Sequence, residues 1–184
     1  MTAIIVILVV IGGFAGGFMS IYKKLLSYVA VIEGQSKEID ELLEQRYKAF
    51  TLLIDIIKNY PNYTNSPISN ILTLRAKAQK ALEDGAEISR ITAEDAISNI
   101  ASTINTLPEQ LPEVKSNEAA MHLLEEITNT QNKLSYAIHS YNDHINQYNE
   151  TRKSFLDSLV VGMYAQKLER EFTLWHRAND QENA

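Results

Sequence analysis

The side chains from which a metal or nucleophile centre would first be sought are four histidines, His122, His139, His144 and His176; cysteine is absent. Zinc sites of the HExxH type need two histidines one helical turn apart with a glutamate between them. No such pairing of histidines occurs, and no set of histidines and carboxylates reads as a ligand group. Without cysteine there is no thiolate ligand, thiol nucleophile or disulfide. Glu125-Glu126 reads as a surface turn of a helix. Neither a phosphate-cradling glycine loop nor a nucleophile elbow is present. The expected sets of catalytic, cofactor-binding and metal residues are therefore empty, no cofactor is implied, and the chain reads as a non-enzyme. The histidines are ordinary surface positions, with a weak pH sensor as the functional alternative. An enzyme reading would need ionisable groups converging on a cleft, such as a polar pocket between the second and fourth helices.

Two polar residues stand where apolar ones are due. Arg46 and Gln131 occupy seam positions of two long helical patterns and can pair across the seam, with Asp40 or Glu126 as further partners. Such a group would set register. Tyr141-Asn142 and Tyr148-Asn149 are seven residues apart, two helical turns, so both tyrosines share a face. Each is expected to fill a packing layer while its hydroxyl finds a polar partner.

The elements that must position these residues are helices. The four prolines fall in two clusters, Pro61 with Pro67 and Pro108 with Pro112, leaving long uninterrupted segments between them. Apolar positions alternate by three and four through Tyr22, Leu25, Val29, Ile32, Ser36, Ile39, Leu43, Arg46, Phe50, Leu53 and Ile57, with only Ser36 and Arg46 interrupting. That pattern predicts one long helix, which the preceding apolar segment can join directly, with Gly34 its most flexible point. Ser66-Pro67 reads as the cap and first residue of a second, shorter helix whose stripe is Ile68, Ile71, Leu72, Ala78 and Leu82, closed by Asp84-Gly85. A third helix is predicted from Thr92, with Asp95 completing a capping box and Ala96, Ile97, Ile100, Ile104 and Leu107 facing inward. The fourth runs from Ser116 to Leu159 through Ile127, Gln131, Leu134, Ile138, Tyr141, Ile145, Tyr148, Arg152, Phe155 and Leu159. The first and fourth, roughly 57 and 66 Å long at 1.5 Å per residue, suit antiparallel packing with the short helices beside them. The predicted fold is all-α: an N-terminal transmembrane helix, then an antiparallel bundle of two long and two shorter helices. The boundaries are 1–22 for the anchor, 23–163 for the bundle and 164–184 for a C-terminal tail.

The anchor rests on residues 1–22, which carry no charged side chain, with Ala3–Val10 almost purely aliphatic. About 20 such residues cross a hydrocarbon core of about 30 Å. A cleaved signal peptide and a buried core helix are the alternatives. A signal peptide would open with a basic side chain, which this segment lacks. Lys23 and Lys24 follow at once, so the positive-inside rule puts the N-terminus outside and the remainder in the cytoplasm. Gly12, Gly16 and Ser20, repeated one residue over by Gly13 and Gly17, form a small-residue face on which transmembrane helices can pair; glycine is also simply frequent in such spans. A formal net charge of -6 argues against nucleic acid as a partner.

In the tail, Leu168, Phe172 and Trp175 with Lys167 and Arg170 can form a short amphipathic helix that touches lipid or a membrane partner. The competing expectation, preferred here, is that the tail folds back on the bundle.

These residues resemble the LemA family of bacterial membrane proteins. The likeness is strongest from Leu107-Pro108-Glu109 to Met163. It runs through Lys115-Ser116-Asn117-Glu118, Leu124-Glu125-Glu126-Ile127, Thr130-Gln131-Asn132, Tyr141-Asn142, Tyr148-Asn149, Phe155 and Leu159-Val160-Val161-Gly162-Met163. A second stretch, Ile39-Asp40 and Leu43 through Arg46-Tyr47, is similar to the family's IDV.L..RY pattern. The chain departs from it at Ala49–Asp55, which lacks the family's proline, and at Tyr164-Ala165-Gln166, where the family has Phe-Gly-Phe. The resemblance implies a single-pass protein of the bacterial inner membrane with a cytoplasmic helical bundle and no enzymatic activity. It marks Asp40, Arg46, Asn117, Glu118, Tyr141, Asn142, Tyr148, Asn149 and Gly162 as family-motif residues of structural role.

The functional expectation is a membrane-anchored scaffold or interaction protein. Its partners are the lipid bilayer, further copies of itself as a homo-oligomer, and another membrane protein. The alternative, resting on the resemblance alone, is a regulatory adaptor for a membrane protease or envelope-stress system.

Overall fold

The structure, a computed structural model, describes residues 2–153 and 160–175, for residues 2–11, 14 and 15 the backbone only. Helix α1 runs unbroken over Thr2–Ile57, 56 residues or about 84 Å. The apolar N-terminal segment and the amphipathic helix are thus one element, as the pattern allowed. No proline interrupts it before Pro61, and it unwinds through Lys58–Tyr60 into left-handed Asn62 (φ 65°). Two 3-10 turns, Tyr63–Asn65 and Pro67–Asn70, lead into α2 (Ile71–Glu83). Ser66 sits before Pro67 as predicted, yet its hydroxyl caps nothing and is buried without a partner.

Gly85 ends α2 in the left-handed region at φ 67°. Its N–H reaches the Leu82 carbonyl (3.2 Å) and the Ala86 N–H reaches that of Ala81 (2.8 Å), the paired bonds of a Schellman cap. Helix α3 follows at Glu87–Ser102. Its start is five residues earlier than the predicted Thr92, whose hydroxyl instead donates back to the Ile88 carbonyl at 2.8 Å. Asp95 is accordingly buried within the helix rather than placed at a cap. After the turn Ile104–Thr106, the short α4 (Leu107–Gln110) and the turn Pro112–Ser116, helix α5 spans Glu118–Arg152. The predicted start at Ser116 shifts by two residues, and the cap is Asn117, whose Oδ1 accepts the Ala120 N–H at 3.0 Å. The expected continuation through Phe155 to Leu159 lies outside the described residues. Residues 160–163 are helical, the turn Ala165–Leu168 follows, and the described chain ends in the non-helical segment 169–175. Among the described residues there is no strand.

The chain divides into two compact units. The first comprises residues 1–36 and 140–174. Leu25, Val29 and Ile32 are buried in it with Ile145, Tyr148, Val160 and Leu168, and the Gln35 Nε2 donates to the Ser140 Oγ at 2.5 Å. The second comprises residues 37–139 and 175–184. In it α1 and α5 run antiparallel: Asn117 donates to the Tyr60 hydroxyl at 3.1 Å and Arg46 to Gln131 at 2.6 Å, so the partner number rises as the α1 number falls. Ile39, Leu43, Phe50, Leu53 and Ile57 of the predicted seam are buried there, as are Ile127, Leu134 and Ile138. The short helices match their stripes less well. Leu72 and Leu82 are exposed while Ala78 and Ala81 are buried, because α2 packs through its small residues.

Among the described residues no helix is long and apolar enough to cross a membrane. The side chains of Ala3–Val10, on which that expectation rests, lie outside them.

Candidate functional site

The strongest concentration of polar chemistry is buried in the second unit, where α1, α3 and α5 meet. Arg46 on α1 has no exposed surface. Its Nη2 donates to the Glu94 Oε2 (2.8 Å), and its Nη1 donates to the Ser98 Oγ (2.8 Å) and the Gln131 Oε1 (2.6 Å). The neighbouring Tyr47 hydroxyl donates to the other carboxylate oxygen of Glu94. One guanidinium therefore ties three helices together, using a planar fork of donors that lysine could not supply.

An open cleft of about 240 Å³ lies beside this cluster between α1, α2 and α3, lined by Asp40, Glu44, Tyr47, Arg75, Arg90 and Glu94 among others. Arg75 stacks over the Tyr47 ring at 4.6 Å and reaches Glu44 at 3.3 Å. Arg90 pairs with Asp40, reaches Glu87 at 3.5 Å and lies over the Trp175 ring at 5.6 Å. Each acid lining the cleft thus faces a guanidinium.

The electrostatics follow from burial. Desolvation pushes the Glu94 carboxyl above its usual range, with Arg46 and the Tyr47 hydrogen bond opposing it. Desolvation lowers Arg46, and the Glu94 charge resists that change. Tyr47 is driven well above the ordinary phenol value by burial and then by the Glu94 charge. For Arg90, burial works against the charge, but the hydrogen bond and charge of Asp40 outweigh it and hold the guanidinium above its usual value. A phenol held this firmly protonated is the opposite of an activated nucleophile or base. Both oxygens of Glu94 are already engaged. The arrangement fixes protons and charges in place, which is a packing chemistry.

Sequence reasoning placed Arg46 and Gln131 together, and they are bonded. It offered Asp40 or Glu126 as the acid, whereas the acid is Glu94 and Asp40 belongs to Arg90. Glu94 was missed because the third helix was started at Thr92. The spacing Arg90, Glu94, Ile97, Ala101, all buried, is the 3–4 signal that could have found it.

The other expected residues are dispersed. Tyr141 and Tyr148 are buried, with Asn142 and Asn149 half-buried beside them. The Tyr148 hydroxyl donates to the Leu168 carbonyl, and its ring meets Phe172 edge-on at 5.7 Å. Glu118 and Gly162 are exposed. Gly12, Gly13, Gly16, Gly17 and Ser20 are exposed, and a methyl group added at any of the four glycines would meet nothing within 4 Å. His122 and His139 are exposed, His144 bonds the Ser140 carbonyl at 2.7 Å, and His176 lies outside the described residues. Among the described residues no group of histidines and acids could hold a metal ion.

The tail does not form the amphipathic helix. Beyond Leu168 the described chain is non-helical, with Leu168 and Trp175 buried and Phe172 half-buried. Leu168 and Phe172 pack on Tyr148, and Trp175 lies under Arg90. These apolar side chains are engaged in packing within their own units.

The class defined by this fold and site is an all-helical protein in which, among the described residues, a dense polar cluster locks helices together. A model of the LemA family matches residues 35–184, and the chain belongs to that family. No curated protein and no solved structure matches it.

Proposed function

We propose that the chain is a non-enzymatic interaction protein, held at the bacterial inner membrane by residues 1–22 and presenting its helical units to the cytoplasm. The observation that carries this reading is the engagement of Arg46. Arg46 is sealed from solvent with Glu94, Gln131 and Ser98 bonded to it, and in the open cleft beside it each acid faces a guanidinium. What remains for function is exposed helix surface. The anchor reading is supported by the uncharged first segment, and the orientation by Lys23 and Lys24 directly after it. The exposed small-residue face of Gly12, Gly13, Gly16 and Gly17 favours self-association through close helix packing.

Purification from membranes in mild detergent, with the mass of the intact complex measured, tests this proposal. The expected result is a membrane-fraction protein in a complex larger than one chain, reduced to the monomer by Gly12→Leu with Gly16→Leu. A soluble monomer would contradict it. A stoichiometric membrane protease in the complex would move the reading to the regulatory adaptor.

A further inference from the structure

An open groove of about 460 Å³ lies in the second unit between the first three turns of α5 and the segment around Asn105 and Pro108. Its apolar part is formed by Pro108 and Leu124, both buried, and by Met121, which is 42% exposed. Glu118 and Glu125 project from the same face of α5, seven residues apart, with Met121 between them. They are not isolated acids. From Ile91 to Asn132 the only lysine or arginine is Lys115, while Glu109, Glu113, Glu118, Glu125 and Glu126 all reach solvent at least in part. Among the described residues none of these five forms a salt bridge. The neighbouring cleft differs, since each of its acids faces an arginine.

We propose that this groove docks a basic segment of another protein, one apolar side chain seated against Met121 and Leu124 and flanking lysines or arginines facing Glu118 and Glu125. Charge complementarity selects the occupant. An apolar depression rimmed by unpaired carboxylates disfavours acidic segments and anionic lipid headgroups by like-charge repulsion, and it favours cationic partners. A second copy of this chain is a poorer occupant. Its basic helix face, Lys77 and Lys80 on α2, lies beside Asp40–Glu44 of α1, as the Arg75–Glu44 bridge shows. The groove lies beside the last turns of α1, by the Tyr60–Asn117 pairing. The two surfaces are roughly 20 Å apart along α1, so parallel copies in one bilayer do not bring them level. This inference deepens the interaction-protein reading and rests on it.

Photo-crosslinking in native membranes tests it with the full-length chain. A benzophenone side chain replaces Asn129 at the groove or, in a parallel sample, Tyr136, which is 78% exposed elsewhere on α5. The expected result is a position-129 adduct that maps by mass spectrometry to a lysine- or arginine-bearing segment of another protein. Its yield should fall on the order of tenfold in Glu125→Lys. Glu118→Gln with Glu125→Gln should lower the yield without reversing charge, and unchanged circular dichroism shows that either variant still folds. The proposal is overturned if the adduct maps to an acidic or neutral segment, a lipid or a second copy. It is equally overturned if charge reversal leaves the yield unchanged, or if position 129 gives no adduct. Adducts at 136 alone would remove the groove and keep the interaction-protein reading, whereas adducts at neither position would remove both.

Discussion

Arg46 on α1 and Glu94 on α3 face each other at 2.8 Å with side-chain exposures of 0% and 4%, so neither charge has water to fall back on. In that setting the pair is costly to form and more costly to break. Removing one partner leaves a buried charge uncompensated, at about 3–5 kcal/mol. Arg46→Leu and Glu94→Leu are each expected to destabilise the chain by that amount in chemical denaturation. The double variant Arg46→Leu with Glu94→Leu should recover most of the loss, because replacing both charges removes the desolvation cost together with the attraction. Additive single losses would show that the two residues are not coupled.

Tyr47 gives the cluster a pH signature. Its folded value lies far above the ordinary phenol value of about 10, so the folded state keeps a proton that the unfolded state releases. The stability this provides is fully present below pH 10 and is lost as pH rises further. Denaturation followed from pH 9 to 11 should show wild-type stability falling faster than that of Tyr47→Phe, by about 1.4 kcal/mol per pH unit above 10. Parallel slopes would mean that the phenol is not held protonated.

Two glycines should respond to alanine with opposite signs. Gly85 is left-handed at φ 67° with open space around it, so Gly85→Ala should cost about 1–2 kcal/mol through backbone strain alone. Gly34 lies inside α1, also with nothing within 4 Å of an added methyl, and Gly34→Ala should stabilise by about 1 kcal/mol. Thermal midpoints of the two variants decide this, and a shift in the same direction would contradict the assignment.

The long helices were legible because burial and periodicity coincide in them: Leu25, Ile32, Leu43, Phe50, Leu53 and Ile57 are each at most 3% exposed. Arg46 and Gln131 were legible for the same reason, as polar residues on an apolar seam. Glu94 was not, because α3 begins after Ala86, whose side chain offers no cap, while Thr92 and Asp95 imitate one further on. The tail misled differently. Leu168, Phe172 and Trp175 have helical spacing, but the chain leaves the helix at Glu169 (φ -86°, ψ 73°), and contacts distant in sequence, Tyr148 and Arg90, set its path. The groove at Met121 was invisible for a related reason: Asn105 and Pro108, from the short turn Ile104–Thr106 and α4, form one wall, and no local pattern announces it.

The central claim is that the Arg46 cluster holds helices together and performs no chemistry of its own. Its most direct test is the mass of the complex purified from membranes for Arg46→Met, Glu94→Leu, Gln131→Leu, measured beside wild type. The account predicts a folded chain of equal or greater stability in a complex of unchanged mass and composition. A chain that folds but loses its partners would contradict it.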